Sequence, residues 1–141
     1  MRGGLSCLLL VWFVLSGSAQ YQFVKQWDYR YGGTGGETLL GFEQTVDGGY
    51  ILGGWSQSGA GGDKTEDSWD TQPAYSDYWV VKIDSLGEKQ WDKRYGGSGV
   101  DVLYKVIETK DGGYILSGHT GTGLNGDKTQ PLWGGARPVA C

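Results

Sequence analysis

Along residues 77–84, "DYWVVKID", side chains alternate strictly: Trp79, Val81 and Ile83 fall on one face, Tyr78, Val80 and Lys82 on the other. A period of two marks a β-strand. The same period runs through 89–96, "KQWDKRYG", where Trp91 and Tyr95 lie opposite Gln90, Asp92 and Arg94. Runs of strand formers also occupy "TLLGFEQTV", "YILGGWS", "VLYKVIETK" and "YILSGHT". Between them stands "DGG" at 47–49 and 111–113. Asp-Gly between strand formers signals a hairpin, because glycine takes positive φ without a steric cost. In "SLGE", Gly87 sits where a hairpin bulge wants a left-handed residue. The pattern predicts strands at 23–31, 38–46, 50–56, 78–84, 89–95, 102–109 and 114–119. Beyond the first twenty residues no stretch carries a 3.6-residue apolar stripe, so the chain is expected to be all-β.

The strands repeat. Residues 26–65 and 90–129 are identical at 22 of 40 positions without a gap, so that one period carries Gln26 to Gln90. A period of tens of residues points to a solenoid, propeller or array in which each copy is one supersecondary unit. Four antiparallel strands per unit is the make-up of a propeller blade. The expected fold is therefore all-β, with propeller-like four-stranded antiparallel repeats and fewer than two complete copies. The repeat region spans 20–135, its copies are 26–89 and 90–135, and the second copy is incomplete. Residues 24–32 read as a fourth-type strand preceding the first full unit. After Gly135 the repeat requires "DYWVVKID", whereas the chain reads "ARPVAC", a 136–141 tail without strand alternation or turn logic. That break predicts a truncated or frame-shifted piece of a longer repeat protein. Such a piece would expose sheet edges and apolar faces such as Trp79, Val81 and Ile83, and would self-associate through them.

Residues 1–19 carry a different pattern. Arg2 precedes an apolar run of eight, "LLLVWFVL", and "SGSAQ" supplies small residues at Gly17 and Ala19. This pattern reads as a secretory signal peptide, and the run is too short to span a bilayer, which takes about 20 residues. Cys7 lies before the run, not after it, which argues against lipid anchoring. The processed chain would hold eleven basic residues against sixteen acids, a net charge of −5. Without a basic surface to neutralise phosphates, nucleic acid is a poor partner. Only Cys141 would remain, so no internal disulfide can form and packing alone must hold the core. Glycine is abundant at 27 copies, yet seven Trp and nine Tyr are interspersed with it. Glycine with many large aromatics suits short strands and tight turns, not low-complexity disorder.

The blocks "QWDKRYGGSG", "DGGYILSG", "GDKT" and "DYWVVKIDSLGEKQWD" resemble repeats of secreted bacterial proteins of the β-propeller-repeat, T9SS-exported kind. The resemblance covers residues 24 to about 135. It implies a propeller-like surface protein, ordinarily with more repeats, and supplies no catalytic residues to carry over.

Several motifs invite chemistry. "SGAGGDKT" (58–65) looks like a phosphate loop, but Asp63 before Lys64 would repel a phosphate and no helix follows. "GGSGVDVLY" (96–104) fits the calcium-binding nonapeptide of β-rolls, yet it occurs only once per copy and those sites need tandem nonapeptides. Its glycines are expected to turn the chain from one blade to the next. Asp63, Glu66, Asp67 and Asp70, with Asp77 nearby, are weak calcium candidates, since hard oxygen ligands suit that ion. The second copy keeps only Asp127 of them, which favours a solvated loop. Trp69 and its counterpart Trp133 are candidates for stacking on a sugar ring. His119, the sole histidine, replaces Trp55 of the first copy and has no partner pattern of a general base.

No catalytic residue, cofactor or metal is expected. The sequence points to an exported β-repeat protein with a structural or binding role toward an extracellular protein or glycan, not spanning a membrane once processed. The alternatives are a carbohydrate-binding module built on Trp69 and Trp133, or a fragment of a larger propeller enzyme. Export should remove residues 1–19. The intact mass of the exported chain is expected to match a start at Gln20, and a mass retaining Met1 would rule the signal peptide out.

Overall fold

The computed structural model describes residues 24–70, 72 and 74–131, with the backbone of Val139–Ala140. Residues 1–19, read above as a signal peptide, lie outside the described residues. Two antiparallel sheets form, and no helix occurs among the described residues. Sheet 1 comprises β1 (Glu37–Gln44), β2 (Tyr50–Ser56), β3 (Asp77–Ile83) and β4 (Lys89–Tyr95), in that spatial order. Sheet 2 comprises β5 (Asp101–Glu108), β6 (Tyr114–Thr120) and the two-residue β7 (Val139–Ala140). Six of the seven expected strands form where alternation and runs of strand formers put them. The repeat extends to irregularities: β1 and β5 carry a bulge at the same repeat position, at Leu40 and Tyr104.

Three expectations are corrected. Residues 24–31 are not a strand, because no neighbouring strand offers them a ladder and an unpaired strand is not stable alone. The tail is not devoid of strand character: β7 pairs with Gly118 and His119 of β6, in the slot that β3 fills beside β2. Backbone pairing there overrides a sequence that lacks alternation. Finally, Trp79, Val81 and Ile83 are buried, because the chain folds residues 24–31 back over them and Tyr31 packs against them.

Alternation gives sheet 1 two apolar faces. Face B bears Ile51, Tyr78 and Val80, and face A bears Tyr50, Leu52, Trp79, Val81 and Ile83. Face B of sheet 1 packs on face A of sheet 2, which presents Leu103, Val106, Tyr114 and Leu116. Ile51 and Leu103 are fully buried there. Burying each such side chain stabilises by about 1.5–3 kcal/mol. Gly53 lets the sheets approach: a Cβ there would lie 2.9 Å from both Leu103 Cδ2 and Val106 Cγ1.

A buried ammonium fixes the hairpin edge. Lys82 Nζ donates to both Asp47 carboxylate oxygens at 2.8 and 3.1 Å, to the Ile83 carbonyl at 3.0 Å and to Gln90 Oε1 at 3.1 Å. These bonds and those from Thr45 and the Gly49 N–H hold the Asp47 carboxyl well below the usual carboxylate range. The β1–β2 turn is thereby tied to β3.

Gly48 and Gly112 have φ of 83° and 81°, and Gly87 has 86°, as the turn chemistry requires. A Cβ at Gly48 or Gly112 would meet nothing within 4 Å, so Ala at either should cost about 1 kcal/mol from backbone strain alone. Gly49 and Gly113 separate the two copies. A Cβ at Gly49 would lie 2.3 Å from the Ile83 carbonyl, while at Gly113 the nearest atom is Thr109 Oγ1 at 3.1 Å. Chemical denaturation should therefore find Gly49→Ala clearly more destabilising than Gly113→Ala, and equal effects would refute the difference in third-strand packing.

Candidate functional site

Face A of sheet 1 is only partly covered. Residues 24–31 cross it and leave a groove of about 630 Å³ lined by Trp27, Tyr29, Tyr31, Phe42, Tyr50 and Trp79, with Arg30, Glu37 and Thr38 as its polar members. Phe42 is 65% exposed and Leu39, also in the lining, 56%. The aromatic wall is organised. Trp27 and Tyr50 meet edge to face at 6.3 Å, and Tyr29 stacks on Tyr31 at 6.4 Å. Tyr31 Oη donates to the Gly87 carbonyl, and a Cβ at Gly87 would strike Tyr29 and Trp27, so the β3–β4 turn is shaped to seat this segment. Sequence reasoning missed the groove. Its signal was the repeat phase, because Trp27 and Tyr50 are the counterparts of Trp91 and Tyr114, which also meet edge to face, at 5.6 Å.

The "YGG" and "GDKT" blocks form a clip, once per copy. Gly32 N–H donates to Asp63 Oδ2 at 3.1 Å and Asp63 N–H to the Gly32 carbonyl at 2.9 Å. Gly96 and Asp127 repeat both bonds, at 3.0 and 2.8 Å. A phosphate reading of this loop has no geometry behind it, since the glycines meet backbone and the lysine reaches a carbonyl: Lys64 Nζ to Glu66 at 2.7 Å, Lys128 Nζ to Thr122 at 3.0 Å. Where each copy enters its first strand, β1 or β5, an acid is held by two hydroxyls. Glu37 accepts from Ser56 and Ser58, and Asp101 from Thr120 and Thr122. The acid shortens by one methylene where the hydroxyl residues gain a methyl, so the copies differ by compensated changes. The aspartate of the calcium-like nonapeptide is this Asp101, engaged by its own strand neighbours.

The four weak calcium candidates are not brought together. Asp63 serves the clip, Glu66 pairs with Lys93 at 2.8 Å and accepts from Arg94 N–H, Asp67 accepts from Ala60 N–H, and Asp70 from Gln72 N–H. Among the described residues no group of three or more His, Cys, Asp or Glu side chains converges on a metal position. Trp69 is 47% exposed. Its indole N–H donates to Asp127 at 3.0 Å, and the Arg94 guanidinium carbon lies 4.5 Å from the ring centroid. Trp133 lies outside the described residues. His119 sits in β6 between Val102 and Val139.

Beneath Trp69 lies a buried acid pair. Asp77 Oδ2 accepts from Ser68 Oγ–H at 2.7 Å and Trp69 N–H at 2.9 Å, while buried Oδ1 has no hydrogen-bond partner. A Cβ on Gly96 would lie 2.3 Å from this Oδ1 and 2.7 Å from Asp101 Oδ2, so the two carboxylates face each other across the glycine. Burial pushes the Asp77 carboxyl up, and Asp101 adds to it, against the lowering by its two donors and Arg94.

No family model matches the chain, and no curated protein is significantly similar to it. Among the described residues no helix is long and apolar enough to cross a membrane.

A carboxyl whose folded pKa is raised stabilises folding fully below its unfolded value near 4, and that stabilisation is lost as pH rises through the folded value. Asp77→Asn should therefore gain stability relative to wild type as pH rises toward 7, by about 1 kcal/mol, since it removes the cost of ionising a buried carboxyl that has one oxygen without a hydrogen-bond partner. That gain should shrink as pH falls toward 4. Thermal melts across pH 4–8 decide it, and a difference from wild type that does not change with pH would refute the unpaired-carboxylate account.

Proposed function

We propose that the chain is an exported β-repeat protein with a structural or binding role, and that the aromatic groove on face A of sheet 1 is its contact surface. The observation that carries this reading is the exposure of Leu39 and Phe42 in a groove whose repeat counterpart, Leu103 and Val106, is buried under another sheet. An apolar face of this kind is a docking surface in one copy and core in the other. The chemistry within reach supports contact over catalysis: the buried acids are engaged by hydroxyls and backbone N–H groups, and the groove is lined by aromatic and aliphatic side chains. A propeller-like blade arrangement fits the strand order β1-β2-β3-β4 and the sheet-on-sheet packing of successive units. The resemblance to secreted bacterial propeller-type repeats points the same way, as does the signal-peptide pattern for an extracellular location.

A glycan-binding reading has one observation in its favour. Trp69 is half-exposed and held by Asp127 and Arg94, which presents a pre-ordered indole at the surface. Quenching of tryptophan fluorescence by members of a glycan panel, abolished in Trp69→Ala, would establish it. Silence across the panel would remove it.

The groove is tested with Nile red, a neutral dye that reports apolar surroundings. At sub-micromolar protein the wild type should bind it saturably, and the double variant Leu39→Gln, Phe42→Gln should bind at least several-fold more weakly with an unchanged β-type circular dichroism spectrum. Equal binding by both proteins would mean that the groove is not an open contact surface.

A further inference from the structure

The internal repeat says what shape the groove is made for. One repeat further along the chain, the groove residues Leu39, Phe42, Tyr50 and Leu52 become Leu103, Val106, Tyr114 and Leu116, which are the residues of sheet 2 that face B of sheet 1 covers. The segment 24–31 is the counterpart of β4. It enters β1 through the same glycine–aspartate clip by which β4 enters β5, and Trp27 meets Tyr50 as Trp91 meets Tyr114. One strand position of an overlying sheet is thus already occupied in the groove, and what would complete the arrangement is the B face of that sheet.

This chain carries a second B face. On sheet 2 it comprises Val102, Lys105 and Ile107 of β5 with Ile115, Ser117 and His119 of β6, as pairing and alternation dictate. Ile115 is 50% exposed although its counterpart Ile51 is fully buried. Val102 and Ile107 stand where sheet 1 has Thr38 and Glu43, which makes those two positions more apolar, while Lys105 stands where sheet 1 has Gly41 and brings a charge to the face. Resting on the groove reading above, we propose that the occupant of the groove is a second copy of this chain. Face B of sheet 2 in one copy docks on face A of sheet 1 in the next, and the segment 24–31 of the receiving copy lies beside β7 in the fourth-strand position.

The contact is heterologous, so it propagates head to tail and ends only if successive rotations close a ring. It is also looser than its internal template. Ser117 replaces Gly53 and Phe42 replaces Val106, where Gly53 leaves no room for a Cβ, and Lys105 replaces Gly41, where a Cβ would lie 3.0 Å from the Tyr104 carbonyl oxygen, so the lysine must reach out past the rim. Association is therefore expected at micromolar concentration.

Head-to-tail docking has a signature that other self-association lacks. Phe42→Lys spoils the groove and keeps face B of sheet 2, and Ile115→Lys does the reverse. Both replace exposed side chains, and circular dichroism checks that both fold. In sedimentation velocity from about 1 to 100 μM, wild type should form dimers and larger species, and each variant alone should remain monomeric. An equimolar mixture of the two should form a species that stops at the dimer, because the remaining faces are the spoiled ones. A wild type that stays monomeric, variants that associate like the wild type, or a mixture that stays monomeric would each overturn the proposal. A monomeric wild type that still binds Nile red in the groove would overturn only the identity of the occupant, whereas loss of dye binding as well would remove the groove reading itself.

Discussion

The fold depends on one contact made between unlike faces of like sheets. Ile51, Tyr78 and Val80 of sheet 1 close over Leu103 and Val106 of sheet 2, with Trp91, Tyr114 and Leu116 sealing the rim. Sheets that pack this way sit about 10 Å apart, so a bulky residue at the centre would hold them open. Gly53 is what allows the approach, by leaving its place to Leu103 and Val106. The contact is directional, since one sheet contributes face B and the other face A. Any chain built from such units has an unmatched A face at one side and an unmatched B face at the other. Residues 24–31 cover part of the first, and in doing so they bury Trp79, Val81 and Ile83 and shape the groove.

Polar interactions set where successive units turn into one another. The clip formed by Gly32 with Asp63, and by Gly96 with Asp127, satisfies two backbone groups where the chain enters β1 and β5. Both copies retain "GDKT", whose aspartate makes these two bonds, while the rest of the loop diverges. The acid–hydroxyl sets beside the clips, Glu37 with Ser56 and Ser58 and Asp101 with Thr120 and Thr122, lock the start of β1 and of β5 to the end of the neighbouring strand. The loop acids that resemble metal ligands in the sequence are spent on such local bonds. Trp69 is likewise tied down, by Asp127 at its edge and Arg94 at its face.

Much of this architecture was legible in the chain itself. Period-two alternation and runs of strand formers located six strands, and Asp-Gly-Gly marked the turns in which Gly48 and Gly112 take positive φ. These features are local: they follow from strand geometry and from glycine's lack of a Cβ, so neighbours in sequence suffice to reveal them. The tertiary structure decided the rest. Residues 24–31 have the composition of a strand, but strand character requires a partner, and without one they lie across face A instead. The short β7 forms for the opposite reason, because β6 offers an open edge to a tail with no pattern of its own. The groove is defined by residues far apart in sequence, and the fates of Asp63, Glu66, Asp67 and Asp70 depended on which backbone N–H groups or cations the fold brought within reach. Sequence sets which way side chains alternate, but only packing determines which face is covered and by what.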